Sequence, residues 1–188
     1  LCQEITLPTK PIQHIDDDSG EIALCILSAI NIGKIRDVSD LKSLCDLSVR
    51  SLDELIDFQG YPVEAAEIAT KARRSLGIGY IGLAHYLAKQ GVKYGDPKAW
   101  ELVHDLTEAF QYHLIESTVN LAKEKGACEY SSRTKYGQGI LPIDTYKKDV
   151  DELVPNNLKY DWDSLRALVK EHGVRNSTLS AQMPSESS

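Results

Sequence analysis

The sequence predicts a helix-rich α/β fold, and three observations indicate it. The apolar run over residues 22–32 does not alternate in polarity, which is typical of a strand covered on both faces of a parallel sheet. Several later segments repeat apolar residues every three or four positions, as amphipathic helices do. The expected order of strand, helices, strand, helix and strand is that of a wound α/β protein, without internal repeats.

The composition is that of a chain that packs around a core. The 188 residues are 42% apolar and 26% charged, which argues against a disordered protein. The net charge of −7 disfavours direct binding to nucleic acid. The longest apolar run, residues 22–33, is far shorter than the roughly 20 residues that cross a bilayer as a helix, so no membrane partner is expected.

The N-terminal segment, residues 1–20, predicts a loop and its return. Residues 1–7 alternate enough in polarity to be extended, and Pro8 and Pro11 stop any helix there. The acidic residues 16–18, followed by Ser and Gly, predict a turn before the first strand. Because the chain opens on Leu and enters mixed polar residues at once, we expect no signal peptide and a piece of a longer protein.

Two helices and a second strand are expected next. Asp37 or Ser39 can cap a helix that reaches about Phe58 and carries one apolar stripe. A second helix begins behind Pro62. Residues 75–81 predict a short strand, because their glycines weaken a helix and allow close backbone approach.

A long helix has the clearest boundaries of all. Asp96 and Pro97 form its start, and Gly126 follows two lysines at its end. Its predicted inward face consists of Trp100, Val103, Leu106, Phe110, Leu114 and Leu121.

The last part of the chain predicts one more helix and one more strand. Asp161 or Asp163 can cap a helix over residues 162–172, which Gly173 ends. Residues 177–183 then read as a strand.

Cys2 and Glu4 are the first candidate site residues. In an extended segment, residues two apart point to the same side with Cα atoms ~7 Å apart, so thiol and carboxylate could face one small substrate. Spacing alone favours the other interpretation, a small thiol beside a solvated carboxylate.

The remaining cysteines and the histidines give weaker signals. Cys25 lies in the first predicted strand, where a cysteine is most often a small buried apolar residue, and Cys45 and Cys128 are interpreted as structural. The four cysteines include no C-x-x-C pair, which favours a reducing cytoplasm over a disulfide framework. No two of the five histidines have the spacing of a metal site, so no metal is expected in this chain.

The terminal residues could hold a phosphate. Pro184, Ser185, Glu186, Ser187 and Ser188 follow the last predicted strand and supply hydroxyls and free N–H groups where a helix could begin. A Ser-rich helix cap is the alternative, and the charge of Glu186 opposes an anion.

Five segments together carry a family resemblance: LCQEITLPTKP, EIALCILSAINIG, RSLGIG, GILPIDTYKKD and LRALVKEHGVRNSTLSAQMPSESS. They resemble the catalytic large (alpha) subunit of class I ribonucleoside-diphosphate reductase, and the resemblance covers essentially all 188 residues. It implies part of a ten-stranded α/β barrel with a finger loop. Residues 1–20 would be the finger loop and its return, and residues 21–188 would be strands and helices of the second barrel half.

The resemblance also implies roles for the candidate residues. Cys2 resembles the loop-tip cysteine that becomes a thiyl radical and takes hydrogen from the ribose 3′ carbon. Glu4 is similar to the carboxylate that accepts the 3′-hydroxyl proton, and Cys25 to one of two cysteines that supply electrons and close to a disulfide. Pro184 to Ser188 correspond to the turn that holds the substrate diphosphate.

The implied activity is that of an oxidoreductase that makes 2′-deoxyribonucleoside diphosphates for DNA synthesis, acting on CH or CH2 groups with a disulfide as acceptor. The implied partners are a ribonucleoside diphosphate, a second large subunit, thioredoxin or glutaredoxin, and a small (beta) subunit. That small subunit contains the metal and supplies the radical. No cofactor is expected on this segment, and the ATP and deoxynucleotide effectors would bind elsewhere in the subunit. The subunit would be cytoplasmic, or in the host cytoplasm if a virus encodes it.

Several parts of that machinery are missing from residues 1–188. The partner cysteine of Cys25, the effector sites, the radical-relaying tyrosines and the tail cysteines would all lie outside this chain. We therefore expect the 188-residue piece to be inactive by itself. Reduction of a ribonucleoside diphosphate by the purified piece, given a radical-bearing small subunit and a dithiol, would contradict this expectation.

Two other classes of function remain open at this point. One is a noncatalytic interaction module whose two long amphipathic helices dock a partner. The other is a hydrolase in which Cys2, with a histidine such as His14, is the nucleophile; it needs a thiol of lowered pKa.

Overall fold

The structure is a computed structural model, and it describes residues 5–184. Its helices and strands, in chain order, are β1 (Ile26–Asn31), α1 (Asp40–Phe58), α2 (Glu64–Arg73), β2 (Leu76–Ile81), α3 (Leu83–Lys89), α4 (Pro97–Lys125), α5 (Pro142–Thr145) and α6 (Trp162–His172). Short 3-10 turns lie at Ile32–Lys34, Ser131–Arg133 and Lys148–Glu152. Helices predominate, and the α/β class is confirmed.

The predicted helices α1, α2, α4 and α6 are confirmed with nearly the expected boundaries. The Asp161 carboxylate accepts a hydrogen bond from the N–H of Ser164 at 2.9 Å and so caps α6. At the start of α1, Asp37 accepts from the N–H of Ser39 at 2.6 Å, whereas the Ser39 side chain makes no capping bond. The caps were predictable because they depend on neighbours in sequence.

The first strand is shorter and less covered than the sequence predicted. β1 spans six residues rather than residues 22–32, and Cys25 precedes it instead of lying in its middle. The prediction of burial on both faces is wrong, because Leu27 is 50% exposed. β1 pairs in parallel with β2, and within residues 5–184 no strand pairs with its other edge.

The last predicted strand runs beside β2 without forming a full strand. Thr178 and Leu179 carbonyls accept hydrogen bonds from the N–H groups of Leu76 and Ile78 at 3.1 and 2.8 Å. The N–H of Ala181 in turn donates to the Ile78 carbonyl at 3.1 Å. Regular pairing is confined to one parallel bridge between Ile78 and Ser180, so the prediction of a strand over residues 177–183 is only partly correct. A ten-stranded barrel is not seen in the described part of the chain.

The core lies between the sheet and the two long helices. α1 packs along α4, and fully buried side chains of both helices meet the inner side of the sheet. These buried residues include Leu41, Val49, Ile56, Leu76, Ile78, Leu106 and Leu114. Because α1 and α4 bury their apolar stripes against each other, those stripes are not available to dock a partner.

Trp100 and α3 depart from the predictions. Trp100 is 37% exposed, because it borders an apolar cavity of about 650 Å³ between α4 and residues 142–158 instead of the core. α3 was not predicted, because it is short and follows β2 directly. Gly82, whose φ is +80°, is the residue before its first turn.

A buried polar cluster ties α1, the start of β2 and the terminal segment together. The carboxylate of Asp53, which is fully buried, accepts from Arg74 Nε at 2.6 Å and from Asn176 Nδ2 at 3.0 Å. Asn176 Nδ2 also reaches the Arg74 carbonyl at 3.2 Å, and Arg175 Nε lies 3.2 Å from Asp53. Arg74 has a φ of 49°, a strained backbone for a residue with a side chain, which the cluster holds in place.

Candidate functional site

On one side of the sheet, β2 carries two glycines. In the β1–β2 register Leu27 lies opposite Gly77 and Ala29 opposite Gly79. Because residues two apart in a strand share a side, these four lie on one side, which we call the glycine face. The other side carries Leu76 and Ile78 into the core. The glycine face is therefore the side on which other groups can approach the backbone.

Cys25 lies on the glycine face. A Cβ atom placed on Gly77 would be only 2.8 Å from the Cys25 Sγ atom and 2.5 Å from Leu27 Cδ2. The thiol therefore lies directly over Gly77, in space that a side chain would otherwise fill. Cys25 is half-buried, so its sulfur is neither locked in the core nor fully in solvent.

The terminal segment reaches the same face. The position of a Cβ on Gly77 lies 3.1 Å from the Cβ of Ala181, and that on Gly79 lies 2.7 Å from Met183 Cε. Pro184 follows and is exposed. The predicted phosphate residues Ser185, Glu186, Ser187 and Ser188 lie outside the described residues, so their role stays a prediction.

The described start of the N-terminal loop lies beside this terminal segment. Ile5, Thr6 and Pro8 line a cavity of about 610 Å³ together with residues 177–180 and Arg73. Cys2 and Glu4, the other predicted site residues, lie outside the described residues. Residues 5–8 therefore lie beside residues 177–180, and a contact of Cys2 or Glu4 with Cys25 stays a prediction.

Glu21 fastens the return of the loop, and sequence reasoning did not single it out. Glu21 pairs with Lys10 in an isolated antiparallel bridge, and its carboxylate accepts from Arg73 Nη2 at 2.7 Å. The Arg73 guanidinium lies 4.5 Å from the centre of the Tyr130 ring, a cation–π arrangement. These contacts join the loop to the end of α2. The partners are 52 residues apart, a separation that local patterns do not reveal.

The other two cysteines are buried in apolar surroundings. Cys45 is fully buried on α1, and burial raises the pKa of its thiol to about 12. Burial also raises the pKa of the Cys128 thiol. Both thiols stay protonated near neutral pH, which agrees with the structural interpretation and leaves Cys25 as the candidate redox cysteine among residues 5–184.

The histidines singled out by the sequence lie in different surroundings. His113 is buried on α4, with its Nδ1 atom 2.9 Å from Glu116 Oε2. His14, the candidate base of a hydrolase, is exposed. Within residues 5–184, no group of three or more His, Cys, Asp or Glu side chains is arranged to hold a metal ion.

The same residues include no helix that combines the length and the apolar character needed to span a membrane.

Comparisons with known proteins agree along the whole chain. The family model described as "Ribonucleotide reductase, barrel domain" matches residues 1–188. The chain is 61% identical over 188 residues to the "Ribonucleoside-diphosphate reductase subunit alpha" of Haemophilus influenzae. It is 55% identical to the protein of that name from Buchnera aphidicola and 54% identical to the "Ribonucleoside-diphosphate reductase 1 subunit alpha" of Escherichia coli. Each match covers 100% of this chain and 25% of the relative, so the chain spans about a quarter of these curated relatives.

Proposed function

The chain belongs to the ribonucleotide reductase barrel-domain family, and from that premise we propose that it is the catalytic segment of a ribonucleoside-diphosphate reductase alpha subunit. The full subunit would reduce ribonucleoside diphosphates to 2′-deoxyribonucleoside diphosphates by thiyl-radical chemistry. Within this segment, Cys2 carries the radical, Glu4 takes up the 3′-hydroxyl proton, and Cys25 supplies reducing electrons with a cysteine outside the chain.

The observation that carries the proposal is the convergence on the glycine face. The Cys25 thiol lies over Gly77, and Met183, two residues before Ser185, lies over Gly79. The Cys25 thiol and the segment that precedes the proposed phosphate-binding residues thus share one side of one strand pair. This arrangement suits a small phosphorylated substrate whose sugar must meet the thiol while its phosphates are held a few ångströms away.

The proposal extends to the partners that such a subunit needs. They are a small subunit that contains the metal and supplies the radical, a second large subunit, and thioredoxin or glutaredoxin as reductant. Pro184, with Ser185 to Ser188, would hold the substrate diphosphate through N–H groups and hydroxyls. We also propose that the subunit works in the cytoplasm and that its nucleotide effectors bind outside this segment.

Replacing Cys25 tests the proposal. In the full-length subunit, assayed with the radical-bearing small subunit and a dithiol, we expect Cys25→Ala to lower turnover of a ribonucleoside diphosphate by roughly a hundredfold or more, because one electron carrier is lost. Equilibrium binding of the substrate should change little.

Cys128→Ala is the matched control, since Cys128 is a buried thiol with no assigned redox role. Its turnover should stay within about threefold of the parent enzyme, because a small core truncation affects stability more than chemistry. Turnover of Cys25→Ala equal to that of the control would contradict the role of Cys25. Absence of any reductase activity in the parent subunit would overturn the proposed function itself.

A further inference from the structure

We propose that Gly77 and Gly79 are two separate positioning residues of this site. Gly77 sets the position of the Cys25 thiol, and Gly79 sets the path of residues 181–183 into the terminal serine turn. The inference rests on the proposed function, since it assigns to each glycine one half of that reaction: electron supply or substrate binding.

Gly77 leaves the space that the thiol occupies. A Cβ there would lie 2.8 Å from Cys25 Sγ, 2.5 Å from Leu27 Cδ2 and 3.1 Å from Ala181 Cβ. Nonbonded heavy atoms favour separations of about 3.5 to 4.0 Å, so one methyl group would press on all three neighbours. The Leu27 contact involves the end of a flexible side chain, which can rotate away. Cysteine has one rotatable side-chain bond, so its sulfur must leave its present position.

Gly79 meets backbone as well as the end of a side chain. A Cβ there would clash with the carbonyl oxygen of Ala181 and would lie 2.8 Å from Met183 Sδ. That carbonyl cannot simply rotate away, because residues 179–181 are fastened to β2. The Leu179 carbonyl accepts from the N–H of Ile78 at 2.8 Å, and the N–H of Ala181 donates to the Ile78 carbonyl at 3.1 Å. A side chain on Gly79 would therefore push the terminal segment off β2.

The two effects differ because the tightest contacts differ, although a Cβ at either position would reach Ala181: Gly77 lies closest to the Leu27 and Cys25 side chains, and Gly79 lies closest to the Ala181 carbonyl. Both lie on the glycine face, with Cα atoms ~7 Å apart as in any strand. The thiol lies over one, and the chain leading to Ser185 lies over the other. Gly60 and Gly95 differ from this pair, since a Cβ on either would meet nothing within 4 Å.

The test compares Gly77→Ala and Gly79→Ala in the full-length subunit with its small subunit and a dithiol reductant. For Gly77→Ala we expect kcat to fall ten- to a hundredfold, the effect of a misplacement of about 1 Å, with little change in KM for the ribonucleoside diphosphate. The fraction of Cys25 found in a disulfide after turnover without reductant, measured by peptide mass spectrometry, should fall as well. For Gly79→Ala we expect KM to rise about tenfold or more, with disulfide formation at saturating substrate close to that of the parent.

Two further variants separate positioning from loss of fold. Gly60→Ala adds a methyl group in open space and should match the parent in kcat, KM and thermal unfolding. The double variant Leu27→Ala/Gly77→Ala removes the leucine contact but keeps the contact with the thiol. We expect it to unfold near the temperature of Leu27→Ala alone and still to show the low kcat and the low disulfide yield.

The outcomes distinguish this inference from the proposed function. If the parent subunit reduces ribonucleoside diphosphates but both glycine variants match it, the positioning roles are wrong and the function stands. If both variants change kcat and KM in equal proportion, the glycines act on the fold as a whole, which also contradicts the inference. A parent subunit without reductase activity, whose Cys25 still enters a disulfide, would instead remove the proposed function.

Discussion

Cys2→Ser in the full-length subunit is expected to lower reductase turnover by roughly a thousandfold or more, the largest effect we foresee. The reason is chemical: sulfur can hold the unpaired electron that the proposed reaction places there, and a serine hydroxyl cannot. Serine is otherwise close to cysteine in size and shape. Binding of the ribonucleoside diphosphate, measured by equilibrium dialysis, should therefore stay near that of the parent subunit.

Glu4→Gln provides a companion measurement at the same loop. The amide keeps the shape of the side chain but cannot take up a proton, and loss of a general base typically costs about 10²- to 10⁴-fold. If the chain were a noncatalytic docking module, both substitutions would leave its activity unchanged. If it were a cysteine hydrolase, an electrophilic ester would label Cys2, and absence of labelling would count against that class.

Asp53→Ala is expected to destabilise the segment by about 1–3 kcal/mol, because it removes the buried carboxylate that accepts from Arg74 and Asn176, whereas Asp57 still pairs with the Arg74 guanidinium. The Asp53 carboxylate is fully buried, and the side chain of Arg74 is only 5% exposed, so water cannot readily replace the lost partner. The left-handed backbone of Arg74 would also lose the hydrogen bond to Asp53 that helps to hold it. Residues 174–181 should loosen first, since Asn176 loses an acceptor 3.0 Å away.

Hydrogen–deuterium exchange and thermal unfolding of the full-length subunit measure this effect. Asp46→Ala on the same helix is the control, since Asp46 is an exposed partner of Arg50 and such pairs contribute about 0–1 kcal/mol. If both variants lost the same stability, the buried cluster would contribute no more than an exposed ion pair. If exchange became faster only in other parts of the chain, the cluster would not be what holds residues 174–181 in place.

Most helices could be predicted because their signals are local. The Asp161 cap of α6, the Pro97 start of α4 and the periodic stripe of α1 each involve residues within a few positions of each other. The prediction for Trp100 was wrong because periodicity shows which face of a helix is apolar. It does not show how much of that face the neighbouring elements cover. α3 left too short a pattern to recognise.

The candidate site could be predicted only in part, for a related reason. The sequence indicated Cys25 but not the position of its sulfur over Gly77. That contact joins residues 52 positions apart and depends on the register of β1 and β2. The buried apolar run was misjudged because apolar sequence does not tell which face a sheet leaves uncovered. The roles of Cys2, Glu4 and Ser185 to Ser188 still depend on the family, since they lie outside the described residues.

The outer edge of β1 has a practical consequence. Within residues 5–184 this strand pairs on one side only, and its own Leu27 is 50% exposed. An edge strand with unpaired backbone N–H and C=O groups and an exposed apolar side chain can pair with a strand of another molecule, which leads to aggregation. Purification of residues 1–188 by themselves should therefore be done at low protein concentration, with aggregation monitored by light scattering.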